Sequence, residues 1–184
     1  MALTPSNMID LGTNAPDFKL LDTVTGEPYS LKDIKDSKAT VIMFICNHCP
    51  YVKHVILELV KLAKDYQSKG IAFIAINAND AIAYPEDAPK KMTQLAKQLG
   101  FSFPYLYDET QSIAKAYQAA CTPDFFIFDK DLLCVYRGQL DGSRPGNKIP
   151  VTGKDIRSAL DNILQGKPVN PQQLPSMGCN IKWK

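Results

Sequence analysis

The chain of 184 residues has no excess of either charge: 21 Lys and Arg are interleaved with 19 Asp and Glu, leaving a formal net charge of +2. With no basic stripe, neither nucleic acid nor an anionic membrane surface is an expected partner. No apolar run approaches the ~20 residues that span a bilayer. Residues 1–7 lack a basic segment followed by an apolar one, so no secretory leader is read and a cytoplasmic setting is expected. There is no internal repeat and no low-complexity segment. The length suits one compact domain, residues 1–165, with residues 166–184 as a C-terminal tail packed on it. A second metal-ligand pair is missing as well. Beyond one Cys-x-x-Cys, the other cysteines (121, 134 and 179) and His54 are scattered, which speaks against a structural zinc corner.

What is present is Cys46-Asn47-His48-Cys49, directly after the apolar run at 39–45 and at the head of an amphipathic stretch over 51–69. A strand that delivers two cysteines to a helix N-terminus suits reversible dithiol–disulfide chemistry. The i, i+3 spacing brings both sulfurs to one side of the first turn. Unpaired N–H groups and the positive end of the helix dipole favour the reactive thiolate there. In a reducing compartment, five cysteines point to thiol chemistry rather than a disulfide scaffold.

The remaining pattern alternates strand and helix. Residues 18–22 and the segment around Tyr29 and Ser30 form a hairpin with a loose loop. Residues 39–45 and 71–76 are buried strands flanking the helix that ends at Gly70, one right-handed βαβ unit. Residues 77–86 read as a polar loop. A helix over about 89–99 stops at Gly100. Asp108 caps a helix carrying Ile113, Ala114 and Tyr117, and Thr152 caps another over about 154–164. Phe125 to Phe128 and Leu132 to Arg137 make an antiparallel hairpin. The tail 165–184 shows little periodicity.

Four stretches, in this order, resemble the thioredoxin-like superfamily. They are Gly-Thr-Asn-Ala-Pro-Asp-Phe at 12–18 with Ser-Leu-Lys-Asp at 30–33; Met-Phe-Ile-Cys-Asn-His-Cys-Pro at 43–50; Phe-Pro-Tyr-Leu-Tyr-Asp at 103–108; and Thr-Pro-Asp-Phe-Phe-Ile-Phe-Asp at 122–129. The resemblance is to the redoxin branch, which includes alkyl hydroperoxide reductase/thiol-specific antioxidant proteins and bacterial cytochrome-maturation thioredoxins. The close of the chain, with Ser143-Arg-Pro-Gly146 and the run from Gly178 to Trp183, is similar to a little-characterised thioredoxin-like subgroup. The fold implied is α/β: a mixed central sheet flanked by helices, with an N-terminal hairpin and a C-terminal tail.

By position, the resemblance makes Cys46 the nucleophile and Cys49 its resolving partner. Pro123 matches the family's cis-proline, leaving the Thr122 backbone open to pair with a substrate strand. His48, when protonated, would lower the Cys46 pKa and make the pair a better oxidant. Peroxiredoxins on the same scaffold place their peroxidatic cysteine at Cys49 and its activating threonine at Cys46. They place a proline at position 42, which is Ile here, and an arginine at position 123, which is Pro. Tyr51 and Ile45 replace residues of the thioredoxin rim and make it more apolar. Cys121, beside Thr122, is a candidate third redox cysteine. Cys134 reads as core. Cys179 reads as an additional redox thiol or as packing against Trp183.

The expected activity is thiol–disulfide exchange through Cys46 and Cys49. The substrates would be protein or small-molecule disulfides and thiols, with a dithiol reductant and no cofactor. The alternatives are an antioxidant thiol peroxidase with Cys49 peroxidatic, and a soft-metal binder using Cys46, Cys49 and one more ligand. The Pro50 ring has no N–H and would break the first intrahelical bond if Cys46 were the N-cap. The expectation is therefore Asn47 as N-cap, helix from His48, Cys46 accessible and Cys49 more buried.

Overall fold

The computed structural model describes residues 3–34 and 36–184. Met1 and Ala2, which open the stretch read above for a leader, lie outside the described residues. The strands run β1 (Leu3–Pro5), β2 (Lys19–Asp22), β3 (Pro28–Ser30), β4 (Ala39–Phe44), β5 (Ile71–Asn77), β6 (Tyr105–Tyr107), β7 (Cys121–Thr122), β8 (Asp124–Asp129), β9 (Cys134–Gly138) and β10 (Met177–Asn180). The helices are α1 (Pro50–Gln67), α2 (Pro89–Leu99), α3 (Ser112–Ala116) and α4 (Lys154–Leu164).

β4 lies within a seven-stranded sheet of order β3-β2-β6-β5-β4-β8-β9. Its six residues are all buried, as a β-branched and apolar run without alternation requires when helices cover both faces. β4, β5 and β6 are parallel neighbours, and the other pairings are antiparallel. The βαβ unit and the later hairpin thus share one mixed sheet, an α/β thioredoxin-like fold. Strand alternation divides the core. Val41, Met43 and Ile45 join a cluster with α1, α2 and α4, including Leu59, Met92 and Ile156. Ile42 and Phe44 pack on the opposite side with Ala114, Tyr117, Phe126 and Phe128. Each such buried side chain contributes about 1.5–3 kcal/mol, so the strand that leads to the cysteines is also among the best anchored.

Element ends depart from the sequence reading in places. Gly153, at φ 65, is the N-cap of α4 rather than Thr152. The buried Asp141 carboxylate does the capping from a distance, accepting both the Thr152 and Gly153 N–H at 2.7 Å. Gln111 occupies the N-cap position of α3, while Asp108 accepts the Ala114 N–H at 2.8 Å. β9 begins at Cys134: Leu132, at φ 60, belongs to the turn, and Leu133 bridges to Asn14 instead. The largest departure is a second sheet of order β1-β10-β7. It ties the C-terminal tail to the N-terminus on one edge and to the segment around Thr122 on the other.

Candidate active site

β4 ends at Phe44, and the Ile45 N–H is held by the Ile76 carbonyl at 3.0 Å. The chain then turns through Cys46, Asn47 and His48 into α1. The helix starts at Pro50, with Cys49 as N-cap at φ −67, ψ 125. This corrects the expected start at His48. The residue before a proline is pushed out of the α region, and proline at the first helical position gives up only an N–H that has no intrahelical partner. The Cys49 carbonyl accordingly accepts the Lys53 N–H at 3.0 Å. Asn47 caps nothing. Its side-chain oxygen accepts from the Tyr105 hydroxyl at 3.0 Å, and its amide donates to the Glu86 carbonyl at 2.9 Å.

Cys46 lies outside the helix but is not accessible. Cys46 is 1% exposed and Cys49 0%. Ile45, expected on the rim, is fully buried. The Cys46 Sγ is 3.3 Å from the Thr122 Oγ1, and the Cys49 Sγ is 3.2 Å from the Thr122 carbonyl oxygen. Thr122–Pro123 is a cis peptide bond, so the residues read as the cis-proline pair do stand over both sulfurs.

The Thr122 backbone is not open to a substrate strand. β10 occupies that edge, with Cys179 opposite Thr122 and Asn180 opposite Cys121. The Cys179 Sγ lies 2.8 Å from the Cys49 Sγ. Trp183, its expected packing partner, is 42% exposed and sits over the Lys115 ammonium instead. Cys121 is buried and points its thiol at the Pro123 carbonyl, 3.6 Å away. Cys134 is buried and donates to the Tyr136 carbonyl at 3.5 Å. None of the five cysteines is bridged.

His48 stacks on Tyr84, ring centroids 4.9 Å apart, and its Nδ1 meets the Asp87 Oδ2 at 2.5 Å. Asp87 is fully buried and also accepts the Asn47 N–H at 2.7 Å and the Asn79 amide at 2.8 Å. Sequence reading missed Asp87, Asn79, Tyr84 and Tyr105. The signal was present in the polar loop: residues 85–87 form a short 3-10 helix ahead of Pro89, which turns one carboxylate inward. Ligand atoms of Cys46, His48 and Asp87 lie within 4.8 Å of one another. The soft-metal reading required Cys46 and Cys49 together, whereas this grouping holds only one of them, and its carboxylate is already engaged in the three hydrogen bonds described. His54, read as a helix-face residue, reaches the Ser143 hydroxyl at 2.7 Å.

The surroundings of the two thiols shift them in opposite directions, and not as the sequence suggested. The Cys46 thiol is pushed well up by burial, by its hydrogen bond to Cys49 and by the negative charge of Asp87, with Thr122 opposing. Cys49 is held far below an ordinary thiol, first by the hydrogen bond from Cys46, against its own burial, then by Cys179 and the Val52 N–H. The Thr122 carbonyl can only accept and so favours a protonated Cys49, but several donors outweigh one acceptor. With α1 beginning at Pro50, the Val52 N–H is the helix donor that favours the Cys49 thiolate, and His48 arrives with a carboxylate attached. The two shifts run in opposite directions, and both favour charge on Cys49 over Cys46 in the resting dithiol.

This gives a pH prediction. Below the pair's depressed inflection Cys49 is protonated and slow to alkylate; above it, the thiolate reacts. In Cys46→Ala the principal donor is gone, so the inflection should rise by at least about one unit. Alkylation rates followed against pH by mass would check this. A low inflection that vanishes with Cys46 but persists in Cys49→Ala would place the charge on Cys46 instead.

Comparison with known proteins matches this architecture. A family model described as the AhpC/TSA family matches residues 11–137. A crystal structure of an uncharacterized conserved protein from Geobacillus kaustophilus is 62% identical, covering 100% of this chain and 97% of that one, with a TM-score of 0.98. The thiol-disulfide oxidoreductase ResA of Geobacillus thermodenitrificans is 26% identical over 161 residues, 87% of this chain and 82% of that protein. A thiol:disulfide interchange protein of the thioredoxin family from Chlorobium tepidum, at 18% identity, covers 88% of this chain and 99% of its own with a TM-score of 0.61, a likeness of fold.

Proposed function

From the premise that this chain belongs to the AhpC/TSA family, we propose that it is a thiol–disulfide oxidoreductase working through Cys46 and Cys49. The observation that carries the reading is the placement of both sulfurs under the cis Thr122–Pro123 segment, each within 3.3 Å of Thr122. The similarity to the ResA oxidoreductase supports it. Both sulfurs are buried; Cys46 is assigned to meet the substrate because it lies outside α1, whereas Cys49 is held at the helix start and against Cys179. The Cys46 proton passes along its hydrogen bond to the Cys49 thiolate, and the Thr122 hydroxyl stabilises the charge left on Cys46. Cys46 attacks a substrate disulfide and one substrate thiolate leaves. Cys49 then gives its proton to the departed thiolate and displaces the second, closing the Cys46–Cys49 bond; the second thiolate takes up the pair's other proton from solvent.

Substrates in this proposal are protein or small-molecule disulfides and thiols, and a separate dithiol restores the reduced form. The proposal includes a reducing, cytoplasmic setting, supported by five thiols whose cycle needs a reducing pool. The thiolate character of Cys49 favours a second reading, a thiol peroxidase with Cys49 peroxidatic. Against it stand Ile42 and Pro123 at the positions of the peroxide-handling proline and arginine.

Steady-state turnover with a model disulfide and with hydrogen peroxide tests the two. The disulfide should be turned over at least about tenfold faster. Peroxide consumption that matches or exceeds disulfide turnover and survives Cys46→Ser would reverse the assignment.

A further inference from the structure

The tail lies where a substrate belongs. β10 hydrogen-bonds to β7 in antiparallel register on the edge beside the dithiol, and a cysteine of that strand faces the site. The docking is specific at several points. The Ile181 N–H reaches the Ala120 carbonyl at 3.1 Å. The Ser176 hydroxyl reaches the Pro123 carbonyl at 2.6 Å. The Lys182 N–H donates at 2.8 Å to Asn79, whose amide holds the same Asp87 that holds His48. The tail is thus wired into the active-site network from both ends of β10.

We propose that Cys179 is a third redox cysteine, and that the C-terminal strand is an internal substrate of the Cys46–Cys49 pair. The inference rests on the oxidoreductase reading above. In the step proposed, the Cys179 sulfur attacks the Cys49 sulfur of the Cys46–Cys49 disulfide. The Cys49–Cys179 bond forms as the Cys46–Cys49 bond breaks. Cys46 leaves with the electron pair and takes up the proton that Cys179 has lost. Three sulfurs, one proton and one disulfide stand on each side, so no further oxidant or reductant is needed. The 2.8 Å separation leaves less than an ångström to close to reach the ~2.04 Å of a disulfide. Burial and the hydrogen bond with Cys49 hold the Cys179 thiol up at about 12 in the reduced protein. Once Cys49 is bonded to Cys46 its negative charge is gone, and that part of the obstacle to ionising Cys179 goes with it. The exchange parks the oxidising equivalent on the tail and returns Cys46 as a thiol.

Peptide mapping decides the matter. Protein oxidised with one equivalent of oxidised glutathione, alkylated and cut with trypsin yields Cys46 and Cys49 on the peptide 39–53, and Cys179 on a peptide ending at Lys182. The expected product is a cross-link between these two, retained in Cys46→Ser and absent from both Cys179→Ser and Cys179→Ala. In Cys46→Ser/Cys179→Ser, glutathione should accumulate on Cys49 at least about tenfold more than in Cys46→Ser alone. Equal adduct in those two proteins, with only the Cys46–Cys49 loop found in wild type, would overturn the proposal and leave the oxidoreductase reading standing. Wild type that forms neither disulfide would remove both.

Discussion

Replacing Cys49 by serine should lower disulfide turnover by at least about a thousandfold and leave a substrate mixed disulfide on Cys46. Three functions meet in this one sulfur. It is the partner of the Cys46 hydrogen bond and therefore the acceptor of the Cys46 proton. It is the attacking group that would release the second substrate thiolate. It is also the sulfur 2.8 Å from Cys179, so the route through the tail closes with it. A serine hydroxyl can keep a contact with the Thr122 carbonyl, but it neither ionises in the working range nor displaces a thiolate. Steady-state rates together with intact mass after substrate addition make the comparison. Turnover within tenfold of wild type would show that Cys49 is not the resolving group.

How much of this was legible beforehand depended on whether one stretch of chain carried its own signal. β4, α1 and β5 are written locally, in apolar runs and a helical period that end at Gly70, and their places in the sheet followed. The cis Thr122–Pro123 pair was reached only through family resemblance, since no local pattern distinguishes it from an ordinary turn before a strand. The start of α1 was misjudged because two proline rules compete. Avoiding a broken first bond permits Pro50 at the third helical position, but the restriction on the preceding residue moves it to the first. Asp87 was missed because its role is created by tertiary contact: residues 39 positions apart meet only when the loop after β5 folds over the Cys46–Cys49 turn. β10 was missed for the same reason. Its four residues include a glycine and an asparagine, show no alternation, and gain their ladder partners from 55 or more positions away.

That glycine gives the other large expected effect. Gly178 packs face-on against the cis-proline segment: a Cβ built there would lie 2.0 Å from the Thr122 carbonyl oxygen and 2.6 Å from its carbon. Both are backbone atoms in a strand that also carries the site, so neither can rotate aside. Gly178→Val should therefore push β10 off β7 rather than distort β7, because β7 runs into the buried β8 through Pro123 while β10 is held by two short ladders, of three and two residue pairs, to β1 and β7. Overpacking against backbone costs about 3 kcal/mol or more, and each 1.36 kcal/mol is tenfold in an opening equilibrium. The Cys179 thiol, 4% exposed in the closed arrangement, should then be alkylated on the order of a hundredfold faster than in wild type. Cys46 should follow it, since Thr122, which β10 pairs with, stands over Cys46 as well. Alkylation rates resolved by peptide mass, with circular dichroism to establish that the seven-stranded domain remains folded, make the measurement. A folded Gly178→Val protein whose Cys179 and Cys46 react within a few-fold of wild type would mean that β10 does not seal the site.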